Sequence, residues 1–213
     1  MRELSLVDQI ISEIDVALRT VFPPQNRESS RPNPAVVSAD TTLSQTQKKH
    51  IAGLMRVNHS GEVCAQALYQ GQAMTAQLTQ VKQQMAQAAA EEADHLAWCE
   101  QRLRELDSQP SRLNPMWYFG SLTIGALAGF VGDRFSLGFV AETERQVGAH
   151  LKKHLENLPK QDKRSQQILQ QMYDDETHHA EVAKEAGAME LPPFIRKLMQ
   201  GVSKIMTKTS YYI

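Results

Sequence analysis

Apolar side chains recur along most of this chain at the spacing of a helix. In residues 3–21 they form one stripe, Val7, Ile10, Ile11, Ile14, Leu18 and Val21, which predicts an amphipathic helix stopped by Pro23 and Pro24. A polar stretch with four prolines runs on to about residue 43 and reads as an extended linker. Ser44, with Gln47 three positions later, predicts a capping box and a second helix through Met74. A short break near Thr75 to Gln80 precedes a third helix over about 81–106. Residues 116–132, MWYFGSLTIGALAGFVG, are apolar or small throughout. Helices follow over about 134–157 and 161–186, the latter stopped at Gly187, a good residue just past a helix end. Pro192 and Pro193 open a basic terminal helix. No run of β-branched residues alternates with polar ones, so strands are not expected. The fold class is all-α: a helical core over 44–213, preceded by an N-terminal helix and linker over 1–43.

Within these helices a pattern repeats. Glu62 is followed 30 positions later by Glu92, which begins EADH and ends in His95. Glu144 is followed 32 positions later by Glu176, which begins ETHH and ends in His179. Residues i and i+3 lie on one helix face, so each Glu–His pair can reach one site. Two such helices plus one Glu from each of two others give four carboxylates and two imidazoles. That is the ligand set of ferritin-like dimetal carboxylate bundles. Four carboxylates nearly neutralise two divalent cations, and the nitrogen donors suit iron or manganese better than calcium. A single Glu-x-x-His is common on solvated faces. Two, each with an upstream Glu at near-equal spacing, favour a dimetal site.

The apolar stripes sort the crowded acids and histidines. Glu176 shares its face with Leu169, Met172, Ala183 and His179, whereas His178 lies with Gln171, Glu181 and Glu185. His179 is therefore expected inside and His178 outside. Glu92 goes with Met85, Cys99 and Leu103, while Glu91 is rotated towards Gln84 and Gln87. Glu144 goes with Leu137, Val140, Val147 and Leu151; Glu62 stands on a mixed face between Met55 and Tyr69. His59 could compete as a ligand but is better read as a surface or hydrogen-bonded helix histidine. His150, six positions after Glu144, is open between a second-layer role beside the site and a plain polar contact.

Composition narrows the class. The net charge is −1, which gives no electrostatic basis for nucleic-acid binding. Two cysteines, Cys64 and Cys99, in no CxxC pattern, fit a reducing compartment. The first residues carry no secretory pattern. The apolar run of 17 residues is short for a membrane span, which needs about 20. Two readings stay open for it: a buried core helix packed through Gly125 and Gly129, or a surface docked on a bilayer with Trp117, Tyr118 and Phe119 at the interface.

With MRVNHSGEVCAQALYQGQ, EEADHLAW, ETERQVGAH and DDETHHAEVAKEAGA in view, the chain resembles the Coq7 family in its bacterial form, over about residues 45–210. The resemblance implies a ferritin-like four-helix bundle with two iron ions, peripheral on the cytoplasmic face of the inner membrane. It implies hydroxylation of a polyprenylated demethoxyubiquinol ring with O2, late in ubiquinone biosynthesis. Carried over, Glu62, Glu92, His95, Glu144, Glu176 and His179 are the metal ligands. Glu92 and Glu176 bridge; Glu62 and His95 serve one iron, Glu144 and His179 the other. His150 matches a family histidine near the site. The electron donor stays open, NADH among the candidates, as do partners among other ubiquinone-biosynthesis proteins or a second copy. The alternative is a ferritin-like iron-binding or ferroxidase protein without quinone hydroxylation.

Overall fold

The computed structural model describes residues 5–22, 24, 27–35 and 42–213. The expectations for residues 3–4, for Pro23 and for 36–41 lie outside them. Among the described residues the chain forms helices and no strand: α1 (Leu6–Val21), α2 (Gln45–Thr75), α3 (Thr79–Glu105), α4 (Asn114–Val131), α5 (Asp133–Asn157), α6 (Lys163–Glu185) and α7 (Pro193–Tyr212).

The helix boundaries follow local chemistry. Ser44 accepts from the Gln47 backbone while the Gln47 side chain accepts from Ser44 N–H, which satisfies two free donors at the start of α2. Ser5 and Asp8 build the same box on α1. Gly187, at φ 96°, ends α6 as expected, in a conformation that costs glycine little. The expected break shrinks to Ala76–Leu78, because Asp133 at the start of α5 accepts from the Gln77 and Leu78 backbones and fixes a tight turn.

Helices α2, α3, α6 and α5 form the four-helix core. α2–α3 and α5–α6 are hairpins, and α4 is the crossover between them, laid along α2. The main core joins Ile51, Leu54 and Met55 of α2, Trp98 and Leu103 of α3, Leu151 of α5 and Ile168, Leu169 and Met172 of α6. This is the ferritin-like arrangement.

The apolar segment is a helix with one buried and one exposed face. One face of α4 is core: Tyr118, Gly125, Ala128 and Gly129 are buried. A Cβ on Gly125 would stand 2.3 Å from the Leu68 carbonyl, so the close approach to α2 needs glycine there. The other face leaves Met116, Phe119, Leu127, Phe130 and Val131 in the open. Of the three aromatics expected at an interface, only Phe119 is exposed. Trp117 is half-buried, and Tyr118 turns inward and donates to Gln70. Among the described residues no helix is long and apolar enough to cross a membrane.

Candidate metal centre

Each core helix contributes to one buried cluster. Glu62 comes from α2, Glu92 and His95 from α3, Glu144 from α5, Glu176 and His179 from α6, and all six are at most 8% exposed. Their ligand atoms form two groups, each within 4.8 Å: Glu62, Glu92, His95 and Glu176, and Glu92, Glu144, Glu176 and His179. Glu92 and Glu176 belong to both groups, as carboxylates bridging two ions must.

The donor atoms are poised for cations. Glu62 Oε2, Glu92 Oε1, Glu144 Oε2, Glu176 Oε2 and His179 Nδ1 are buried without a hydrogen-bond partner. Buried polar atoms of this kind are costly, and a metal ion satisfies them. Both imidazoles turn Nδ1 inward: His95 Nδ1 is 3.0 Å from Glu92, and His179 Nδ1 is 3.4 Å from Glu92 and 3.5 Å from Glu176.

The electrostatics of the metal-free cluster are those of acids that cannot all ionise together. Burial, then the Glu92 charge, pushes the Glu62 carboxyl well above its ordinary range; burial, then Glu176, does the same to Glu144. Burial also favours neutral Glu92, but His95 and His179 outweigh it and hold Glu92 well below. Burial would lower both histidines, yet the surrounding carboxylates raise His95 and push His179 up to about 12. Raised proton affinity thus falls on four of the groups that would hold cations, Glu62, His95, Glu144 and His179.

Three side chains of the site were not singled out from sequence. Asp175 accepts from His95 Nε2 at 2.9 Å, and Glu91 accepts from His179 Nε2 at 2.8 Å. Each acid immediately precedes a shared Glu and holds the histidine of the facing helix, fixing its ring so that Nδ1 points to the site. Tyr69, two turns after Glu62, donates its hydroxyl to Glu144.

His59 is not a ligand: buried, it lies 3.2 Å from Glu100 through Nε2 and from Asn114 through Nδ1. His178 is exposed, as expected. His150 is half-buried and outside both ligand groups, two turns along α5 from Glu144; burial, then Lys153, lowers its imidazole.

A cavity of about 80 Å³ adjoins the His179 half. Met85, Ala88, Leu137, Val140, Val182 and Ala183 line it with apolar groups, and Tyr69, Gln84, Gln87, Glu91, His178 and His179 with polar ones.

The family described as ubiquinone biosynthesis protein COQ7 matches residues 49–210. The chain is similar to the 3-demethoxyubiquinol 3-hydroxylases of Legionella pneumophila strain Paris, 64% identical, and Acinetobacter baylyi, 56% identical, over 100% of each chain.

Proposed function

The chain belongs to the COQ7 family of ubiquinone biosynthesis proteins, and from that premise we propose that it hydroxylates the ring of a polyprenylated demethoxyubiquinol, using O2 and two iron ions. The observation that carries the metal reading is the pair of ligand groups sharing Glu92 and Glu176. Mixed carboxylate and imidazole donors suit iron. Glu62 and His95 would complete one ion, Glu144 and His179 the other. The irons would supply the reduction of O2 and the transfer of oxygen to the ring.

The chain supplies position and dryness. The apolar wall built by Met85, Leu137, Val140 and Val182 suits a flat ring beside the His179 half and keeps water from it. Tyr69 holds a proton on its oxygen at Glu144, since burial and then the Glu144 charge push its phenol well up. Asp175 and Glu91 keep both imidazoles aimed at the metals. His150 serves as a polar neighbour and not as a ligand.

The substrate's long tail belongs in a bilayer, and the protein meets it there as a peripheral protein, through the open face of α4 and the apolar stripe of α1. That face is the inner membrane's cytoplasmic side in this reading.

The test is iron content together with product formation. Purified protein should carry two irons per chain and convert demethoxyubiquinol to the hydroxylated quinol. Glu176→Ala should lose iron and at least about 100-fold of the activity, since it removes a ligand to both ions. Full hydroxylation by the variant, or by iron-free protein, would sink the proposal. Iron oxidation without quinol hydroxylation would favour the ferroxidase alternative.

A further inference from the structure

The site has two unlike ends. The His179 end lies by the cavity, and its supporting acid, Glu91, is 30% exposed and, among the described residues, accepts only a long 3.4 Å bond from Gln87 besides that from His179. The His95 end is covered by the N-terminal segment, residues 27–35, which the family match starting at residue 49 does not include.

This segment is irregular, yet it is pinned along its length. Arg27 pairs with the buried Glu100 at 3.0 Å, and Glu100 in turn meets His59. Ser30 donates to Asp94 from both its N–H and its hydroxyl. Asn33 donates to Gln101, and Ala35 is buried in the main core.

Arg31 is the centre of the strap. Its Nε pairs with Asp94 at 2.9 Å, and its Nη1 pairs with Asp175 Oδ2 at 2.9 Å, the same oxygen that accepts from His95 Nε2. The guanidinium lies 5.0 Å from the centre of the Trp98 ring, which itself packs on His95. Gln171 donates to the other Asp175 oxygen. Asp175 is therefore held at both oxygens, and through it the His95 ring is fixed. Among the described residues, Glu91 has no cation beside it that matches Arg31.

We infer that the strap is a lock on one half of the metal site, with Arg31 the positioning residue for His95, so that the metal at Glu62 and His95 is held more tightly than the metal at Glu144 and His179. This rests on the two-metal reading above. Arg31 touches neither substrate nor metal; it acts on the His95 ring, through Asp175 and by its own Nη2, which lies 3.4 Å from His95 Nε2. A planar, forked cation is required because two carboxylates must be engaged in fixed directions at once.

The experiment is metal release from the full chain, loaded anaerobically with ferrous iron and challenged with a chromogenic chelator. Wild type should lose two irons in two phases of equal amplitude, fast from the cavity half and slow from the strapped half. Arg31→Met should speed the slow phase by about 10- to 100-fold, the usual cost of losing an outer partner of a metal ligand, and leave the fast phase alone. Glu91→Gln should speed the fast phase only. Asp94→Asn, which loosens the strap while keeping Arg31, should move the slow phase the same way by less, and carries the test if Arg31→Met does not fold. An unchanged slow phase in the folded variants, or equal acceleration of both phases, overturns the lock. Wild type that takes up no pair of irons overturns the metal reading instead, and the lock with it.

Discussion

At the scale of single residues, protons and a metal ion would compete for the same donor atoms. Glu62, Glu144, His95 and His179 all have their proton affinity raised in the metal-free cluster. A metal must displace those protons, because ligands bind deprotonated. The sign follows: lowering pH strengthens the competitor, so metal affinity falls as pH falls and rises as it increases. Calorimetric titration in buffers of different ionisation enthalpy should show net proton release on metal binding. Release of none would mean the ligands are already bare. Tyr69→Phe makes a second test. It leaves a buried Glu144 oxygen without its donor, which costs about 1–3 kcal/mol, and should lower the melting temperature of the metal-free protein. Among the proposed ligands, Glu92, His95, Glu176 and His179 were legible because i,i+3 spacing and the apolar stripe both pointed inward, Glu144 from its stripe and spacing, and Glu62, on a mixed face, only from its spacing to Glu92. Glu91 and Asp175 were not, because each sits one position off that stripe. The helix rotation that turns Glu91 away from its own helix's inner face brings it to His179 on α6, and only the packing of two helices reveals that.

At the scale of elements, the α2–α4 contact carries the clearest demand on sequence. Gly71 and Gly125 bring two backbones together: a Cβ on Gly71 would meet the Leu122 carbonyl at 2.3 Å, and one on Gly125 the Leu68 carbonyl at the same distance. Backbone cannot yield as a side chain can. Gly125→Leu should therefore destabilise by about 1–3 kcal/mol or more, read as a lower urea midpoint. Gly120, in the same helix, has nothing within 4 Å of an added Cβ, and Gly120→Ala should be stabilising by up to about 1 kcal/mol. Equal effects at the two positions would refute the packing account. Gly125 was readable as half of Gly-x-x-x-Gly with Gly129, whereas Gly71 on the facing helix was not. That α4 is half core and half exposed was not readable either, because both its faces are apolar and periodicity cannot tell them apart. The strap was legible only as an absence of helix. Its role depends on Asp94, Glu100 and Asp175, 63 to 144 positions away along the chain.

At the scale of the molecule, the cavity stands at one end of the bundle, and part of the apolar surface reaches the same end. The cavity is lined by the last part of α2, the first parts of α3 and α5, and the last part of α6. Met74, Leu78, Phe130, Val131 and Met189, all exposed, close these same helix ends. A quinol whose tail lies in a bilayer could present its ring to His179 without leaving the lipid, if this end faces the membrane. The cost of exposure supports that orientation, since burying a side chain of this size contributes about 1.5–3 kcal/mol. Phe119→Ser with Phe130→Ser would remove two exposed contacts and should weaken binding to anionic lipid vesicles by roughly 100-fold or more. Both side chains are in the open, so the melting temperature should stay within about 2 °C, which separates lost docking from lost folding. Hydroxylation of a short-tailed, water-soluble quinol should persist in this variant while that of a vesicle-embedded, long-tailed one falls. Undiminished turnover of the embedded quinol would mean that the ring reaches the cavity by a route other than this apolar end.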